Sequence, residues 1–295
     1  MSAVTVYEVG PRDGLQNESR IIPTVDKIRL VDLLSTTGLR HIEATSFVSP
    51  RWVPQMADAA EVMAGITRTA GVRYAALTPN LRGYERAREA RVDEVAVFAA
   101  ASETFSHKNI NCSIADSIER FRPVLEAAAA DGIPVRGYVS CVVACPYDGP
   151  VAPRAVATVV GQLLALGCHA VSLGDTIGAG TPATIDAMLD AVLAVAPASR
   201  LAGHYHDTGG RAIDNVLATL DRDITVFDAA TGGLGGCPYA PGAKGNVATG
   251  PLVDALAARG VETGIDREQL RAAEVLVASL AVGDDARGTN QRGTT

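Results

Sequence analysis

Eight short apolar segments, each followed by a segment with helical periodicity, constrain the fold of this chain more than any other feature. The segments are 4–9, 41–46, 73–77, 94–99, 134–141, 170–173, 201–206 and 224–228. Such alternation is typical of parallel strands joined by helices. Eight units predict an α/β fold consisting of a single (β/α)8 TIM barrel. An open doubly wound sheet is the alternative, but it usually has fewer strands and a dinucleotide-binding glycine turn after the first, where this chain has Gly-Pro-Arg-Asp-Gly.

The helical segments carry their own boundary signals. In one of them Ile185, Met188, Leu189 and Val192 share one face, and Thr181 precedes the first turn as an expected N-cap. A last periodic segment over 266–282 predicts a short extra C-terminal helix. We therefore expect one barrel domain over residues 1–283, followed by a polar, frayed tail over 284–295.

Composition excludes several classes of function. The net charge of −7 and the pI of about 5.3 argue against nucleic acid as a partner, because phosphate binding requires a basic face. No apolar stretch reaches transmembrane length without a charge, proline or glycine, so we expect no membrane partner. Five cysteines in 295 residues do not form a disulfide framework, and no signal peptide is apparent, which predicts a reduced, cytoplasmic protein.

A pair of histidines at the end of the seventh segment predicts a metal site. Successive side chains of a strand alternate between its two faces, so His204 and His206 point the same way. In a barrel the eighth strand closes against the first, which brings Asp13 and Asn246 to the same place. Carboxylate, amide and imidazole ligands suit Mg²⁺ or Mn²⁺. Taken alone, Asp13 is equally well explained as a turn residue and Asn246 as a loop residue.

Two charged residues near this site suggest stabilisation of negative charge. A guanidinium beside a metal, as Arg12 would be, can hold an enolate or carboxylate oxygen. The structural alternative is a salt bridge from Arg12 to Glu8 or Glu43, and both roles are compatible. An unpaired carboxylate inside a barrel strand is costly, so Glu43 should be paired or functional.

A glycine-rich loop after the eighth segment carries a thiol. The loop over 231–246 contains six glycines and Cys237, which makes it an unlikely part of the core. A thiol near a cation has a lowered pKa and can donate or accept a proton. The alternative is a loop cysteine without a function. The polar loop over 102–113 could receive an anionic or amide group of a ligand at a helix N-terminus, although an ordinary capped loop explains it equally well.

These residues together resemble the 3-hydroxy-3-methylglutaryl-CoA lyase family, within the barrel superfamily that includes isopropylmalate and homocitrate synthases. The matching stretches are EVGPRDGLQNE (8–18), IEATSFVSPRWVPQMADA (42–59), NINCS (109–113), RGYVSC (136–141), SLGDTIGAGTP (172–182), HYHDT (204–208) and GGLGGCPYAPGAKGN (232–246). They cover most of the chain in family order, and the RDGLQNE and glycine-cysteine stretches are specific to the lyase branch.

The resemblance implies cleavage of a 3-hydroxy-3-methylglutaryl-type CoA thioester with a divalent cation and no organic cofactor besides the CoA of the substrate. The implied metal ligands are Asp13, His204, His206 and Asn246. The implied catalytic residues are Cys237, Arg12, His204, Glu43 and Asp175, and the implied substrate-binding residues are Arg12 and Asn109. Leucine breakdown and ketone-body formation are the corresponding pathways, and a homodimer is possible.

Three departures from the family pattern concern specificity. Gly209 and Gly210 stand where the family has an aromatic residue, Gly250 and Pro251 where it has an acidic pair, and Lys244 where it has a small residue. A lyase for a longer or branched 3-hydroxyglutaryl-CoA is therefore an alternative. A condensing acyl-CoA/keto-acid synthase is a further one, although such synthases are usually longer. A non-catalytic barrel would not need the whole ligand set together with Cys237.

Overall fold

The computed structural model describes residues 3–235 and 245–281, and within them eight parallel strands close into a barrel. Each strand pairs with its neighbours in chain order, and β8 pairs with β1. The strands are β1 Thr5–Glu8, β2 His41–Ser46, β3 Arg73–Leu77, β4 Glu94–Ala100, β5 Val135–Ser140, β6 Ala170–Asp175, β7 Leu201–Tyr205 and β8 Val226–Ala229. The predicted (β/α)8 barrel is confirmed, and the strand ends differ from the predicted ones by at most two residues.

Ten α-helices in the described residues surround the barrel. They are α1 Thr24–Ser35, α2 Ala59–Gly65, α3 Leu81–Glu89, α4 Glu103–Ile110, α5 Ile114–Asp131, α6 Pro153–Leu166, α7 Pro182–Leu193, α8 Ala212–Leu220, α9 Thr249–Ala258 and α10 Arg267–Ala281. Thr181 caps α7 in a capping box with Thr184, as its sequence position predicts. The last helix, α10, is the extra C-terminal helix expected from the sequence, whereas the predicted tail over 284–295 lies outside the described residues.

The main apolar core lies between the barrel and its helices. Outward-facing valines such as Val95 and Val97 on β4 are fully buried together with Phe121 and Val124 of α5. The barrel interior differs, because Glu8, Glu43 and Arg136 are buried within its strands. Within the described residues no helix is both long and apolar enough to cross a bilayer.

Barrel closure sets the position of the functional residues. β8 lies between β7 and β1, with Asp228 opposite both His204 and Tyr7. Catalytic groups of such barrels lie at the carboxyl ends of the strands. The segments that follow β1, β7 and β8 therefore meet at one end of the barrel.

Candidate active site

A tight turn directly after β1 presents Arg12 and Asp13 to the mouth of the barrel. Residues Gly10–Gly14 form a single π-helical turn, a feature frequent at functional sites. Arg12 is 6% exposed. Its Nε donates to Glu43 Oε1 at 2.8 Å, its Nη2 to Glu43 Oε2 at 3.2 Å and its Nη1 to Asp13 Oδ1 at 2.6 Å. The partner of Arg12 is thus Glu43 rather than Glu8, and the two carboxylates fix the plane of the guanidinium.

The structure brings the four predicted metal ligands together. His204 Nε2 lies 3.4 Å from His206 Nε2 and 3.9 Å from Asp13 Oδ2, and the ligand atoms of these three residues all lie within 4.8 Å of one another. His206 forms an isolated antiparallel bridge with Asn246 just beyond the end of β7. The Nδ2 of Asn246 donates to Asp13 Oδ2 at 2.8 Å. Asn246 is therefore joined to His206 by a β-bridge and to Asp13, near the start of the chain, by a hydrogen bond.

The donor set fits a divalent cation. Two ring nitrogens face each other across 3.4 Å, an arrangement that a shared cation satisfies. Within the described part of the chain, the Oδ1 of Asn246 is buried and accepts no hydrogen bond. A buried acceptor without a donor is costly, and a cation would satisfy it. Nitrogen and oxygen donors of this kind occur at sites for Mg²⁺, Mn²⁺ and Zn²⁺.

Burial and neighbouring charges shift the pKa values of Asp13, His204 and His206. Burial would raise the pKa of Asp13, but the charges of Arg12 and the two histidines hold it below the usual value, so Asp13 is ionised. Burial and the neighbouring His204 lower the pKa of His206 to about 4. Burial would lower the pKa of His204 as well, but a hydrogen bond to Asp228 and the charge of that carboxylate raise it. At neutral pH the site offers a carboxylate and an unprotonated His206.

Three residues of this site are absent from the sequence prediction. Tyr138 donates its phenolic proton to Glu43 Oε2 and accepts from Arg136 Nη1 at 3.1 Å. Arg136 Nη2 donates to Asp228 Oδ1 at 2.6 Å. These side chains lie in strands on the face that points into the barrel. The sequence signal for these three residues is a charged or hydroxyl-bearing side chain at an inward position of an apolar strand. The same signal identifies Glu43.

Two further predicted residues are described by the structure, Asp175 at the end of β6 and Asn109 on α4. The Asp175 carboxylate accepts backbone N–H groups of Ala179 at 3.1 Å and Gly180 at 2.8 Å, so it orders the loop after β6. Asn109 is exposed on the last turn of α4. Cys237 and Lys244 lie outside the described residues.

Two glycines of the mouth loops fill positions that larger residues could not. Gly235 has a φ of +99°, and a Cβ there would lie 2.5 Å from Asn246 Nδ2. At Gly209 a Cβ would lie 2.7 Å from the carbonyl oxygen of Gly178. A larger residue at Gly209 would require the loops after β6 and β7 to shift. The departure at Gly209 is thus coupled to the packing of these two loops.

Comparison with known proteins gives consistent relatives. The sequence model of the HMGL-like family matches residues 3–277. The 3-hydroxy-3-isohexenylglutaryl-CoA/hydroxy-methylglutaryl-CoA lyase of Pseudomonas aeruginosa is 58% identical over 267 residues, which cover 90% of this chain and 89% of that protein.

Solved structures agree with these relatives. The HMG-CoA lyase from Brucella melitensis superimposes with a TM-score of 0.94 at 62% identity, covering 95% of this chain and 99% of that one. An HMG-CoA lyase from "Acenitobacter baumannii", in complex with coenzyme A and 3-methylmalate, matches with a TM-score of 0.89 at 37% identity, covering 100% of both chains.

Proposed function

The chain belongs to the HMGL-like family, and from that premise we propose that it is a carbon–carbon lyase that cleaves 3-hydroxy-3-methylglutaryl-CoA to acetyl-CoA and acetoacetate. The observation that carries the proposal is the convergence of Asp13, His204 and His206 beside a guanidinium already fixed by two carboxylates. The relatives reported above, which are named as lyases for this thioester, support the same substrate class.

The reaction breaks one carbon–carbon bond and requires two proton transfers. The proton of the tertiary hydroxyl leaves, the bond between C2 and C3 breaks, and its electron pair becomes a thioester enolate. C3 becomes the ketone of acetoacetate, and a proton delivered to C2 completes acetyl-CoA. A base, an oxyanion site and an acid are therefore required.

We assign the cation to Asp13, His204, His206 and Asn246, and propose Mg²⁺ or Mn²⁺. When bound, it lowers the pKa of the substrate hydroxyl and so favours loss of that proton. The protein's own part is to present one ionised carboxylate and two imidazole nitrogens at short range. Asn246, the last residue of the glycine-rich loop, also donates a hydrogen bond from its Nδ2 to Asp13.

We assign the enolate oxygen to Arg12. Its guanidinium is buried, so a hydrogen bond to a developing negative charge is stronger there than in water. Glu43 orients Arg12, and Tyr138 holds Glu43 in turn. Because these hydrogen bonds are formed before the substrate binds, the guanidinium of Arg12 needs little reorientation during the reaction.

Three further assignments rest on family resemblance. Cys237 is the proposed donor of the proton that converts the enolate to acetyl-CoA, Asn109 a proposed substrate contact, and Asp175 a proposed support of the site through its loop. The binding partner is thus a CoA thioester, as the coenzyme A in the related complex suggests. We propose leucine breakdown and ketone-body formation as the pathways, and a homodimer as the assembly. The described cysteines are free thiols, which fits a reducing compartment, and we propose the cytoplasm.

The test is cleavage of 3-hydroxy-3-methylglutaryl-CoA with Mg²⁺ and then with EDTA, followed by measurement of acetoacetate. We expect product only with the metal. His206→Ala should lose both metal binding and activity, whereas Cys237→Ala should bind metal normally and lose most turnover. Full turnover with chelator present, or in Cys237→Ala, would contradict the corresponding assignment. A parallel assay with a 3-isohexenyl substrate measures the substrate range suggested by the name of the Pseudomonas relative.

A further inference from the structure

The carboxylate of Asp228 lies behind the metal ligands and makes contacts on both of its oxygens. Asp228 is 1% exposed, on β8. Its Oδ1 accepts from Arg136 Nη2 at 2.6 Å, and its Oδ2 accepts from Ser172 Oγ at 2.7 Å. The same Oδ2 lies 3.1 Å from His204 Nδ1. Asp228 itself is not one of the four proposed metal ligands.

We propose that Asp228, held by Arg136, is a positioning residue that keeps the proton of His204 on Nδ1 and leaves Nε2 free as a ligand. This inference rests on the metal site of the proposed function. A carboxylate accepts hydrogen bonds and donates none, so Nδ1 must carry the hydrogen. The lone pair then lies on Nε2, the atom that faces His206 and Asp13. Carboxylate–histidine pairs of this kind orient ligands and fix their tautomer at metal sites.

Arg136 makes the arrangement selective for a carboxylate. Because Arg136 carries only donors, the oxygen that faces it must be an acceptor. In Asp228→Asn the amide oxygen would face Arg136, and the amide N–H₂ would then face His204 and Ser172. His204 Nδ1 would become an acceptor, and the hydrogen would move to Nε2. Asp228→Asn is thus expected to place a hydrogen on His204 Nε2, which is then unavailable as a ligand atom, although all four ligand residues are still present.

The first experiment observes the tautomer directly in metal-free protein. The chain has only five histidines, so ¹⁵N-histidine labelling gives few signals, and His204→Gln assigns the signal of His204. At alkaline pH the wild-type imidazole should show its hydrogen on Nδ1, and Asp228→Asn should show it on Nε2. A wild-type protein with the hydrogen of His204 on Nε2 would overturn the inference, whether or not the variant folds.

The second experiment measures the affinity for Mn²⁺ by calorimetry. Asp228→Asn should bind Mn²⁺ about 10–100-fold more weakly, the usual effect of removing such a partner. The matched control is Asp58→Asn. Asp58 also accepts from a buried cation, Lys27 at 2.7 Å, and from a hydroxyl, Thr24 at 2.7 Å, but it precedes α2 on the outside of the barrel. The control should lose stability and keep its Mn²⁺ affinity.

Two results separate this inference from the proposed substrate. Wild-type Mn²⁺ affinity in Asp228→Asn, together with an unchanged tautomer, would refute the positioning role. If instead the tautomer and affinity change as expected while wild-type protein fails to cleave 3-hydroxy-3-methylglutaryl-CoA, the positioning role stands and the substrate assignment is wrong.

Discussion

Replacing Arg12 by lysine tests the oxyanion assignment, because the charge is kept and the geometry is lost. Arginine has five N–H donors. Three are occupied in the structure, two by Glu43 and one by Asp13, which leaves two, one on each terminal nitrogen, for a substrate oxygen. A lysine ammonium has three donors. If it keeps both carboxylates, it has at most one left, and that donor is not held in a plane.

The expected loss is that of an oriented oxyanion donor in a buried site. Removal of such a donor lowers kcat by about 10²–10³, or about 2.7–4 kcal/mol of transition-state stabilisation. KM should change much less, because the charge on the substrate oxygen develops only during bond cleavage. Steady-state kinetics with saturating Mg²⁺ and 3-hydroxy-3-methylglutaryl-CoA measure both constants.

A matched surface variant controls for the substitution itself. Arg222 also contacts two carboxylates, those of Asp186 and Asp190, but on the outer helices. Arg222→Lys should therefore retain wild-type kinetics. The reasoning is refuted if Arg12→Lys, folded and loaded with metal, keeps kcat within a few-fold of wild type, or if its loss appears only in KM.

Two other predictions concern pH and the anchoring of the loops. The pKa of His206 is lowered to about 4 and that of His204 is raised. At pH values between these two pKa values, Mn²⁺ binding should therefore release about one proton, from His204. The affinity should fall roughly tenfold per pH unit below the His204 pKa and level off above it, where no proton is released. Calorimetry in buffers of different ionisation enthalpy checks this, and release of two protons would contradict it. Glu8 accepts hydrogen bonds from Gly10 N, Thr231 N, Thr231 Oγ1 and Thr249 Oγ1. Glu8→Gln places an amide donor among these donors and should cost about 1–3 kcal/mol in urea unfolding, whereas unchanged stability would show that Glu8 does not anchor the loops.

The sequence predicts the barrel well because its signals are local. Strand alternation and helical periodicity are properties of neighbouring residues, so all eight strands are predicted to within two residues at each end. The convergence of Asp13, His204, His206 and Asn246 follows from one topological rule, that the last strand closes against the first. Once the barrel is assumed, no side-chain detail is needed to bring these residues to one end.

The partners of the site residues could not be predicted in the same way. The sequence leaves Glu8 and Glu43 as equal partners for Arg12, and the structure selects Glu43, because backbone and hydroxyl donors of two other segments occupy Glu8. The roles of Arg136 and Asp228 depend on contacts across the barrel between strands far apart in the chain. Such contacts follow from strand stagger and side-chain reach, which one sequence does not reveal.

The polar interior explains how one end of the barrel can support both a metal site and an oxyanion site. Barrel interiors are usually filled by branched apolar side chains, and buried ion pairs contribute little net stability. Here Glu43 and Asp13 orient the guanidinium of Arg12, and Asp228, held by Arg136, orients the imidazole of His204. Tyr138 links the two groups, because it donates to Glu43 and accepts from Arg136.

The charges of this network also balance the ligands it is proposed to hold. Two guanidinium groups face the three carboxylates of Asp13, Glu43 and Asp228, which leaves one net negative charge when both imidazoles are unprotonated, as ligands must be. A divalent cation reverses that sign to one net positive charge. An anionic substrate that develops further negative charge as its bond breaks then meets a site of opposite charge. The buried charges are therefore better explained by binding and catalysis than by stability of the fold.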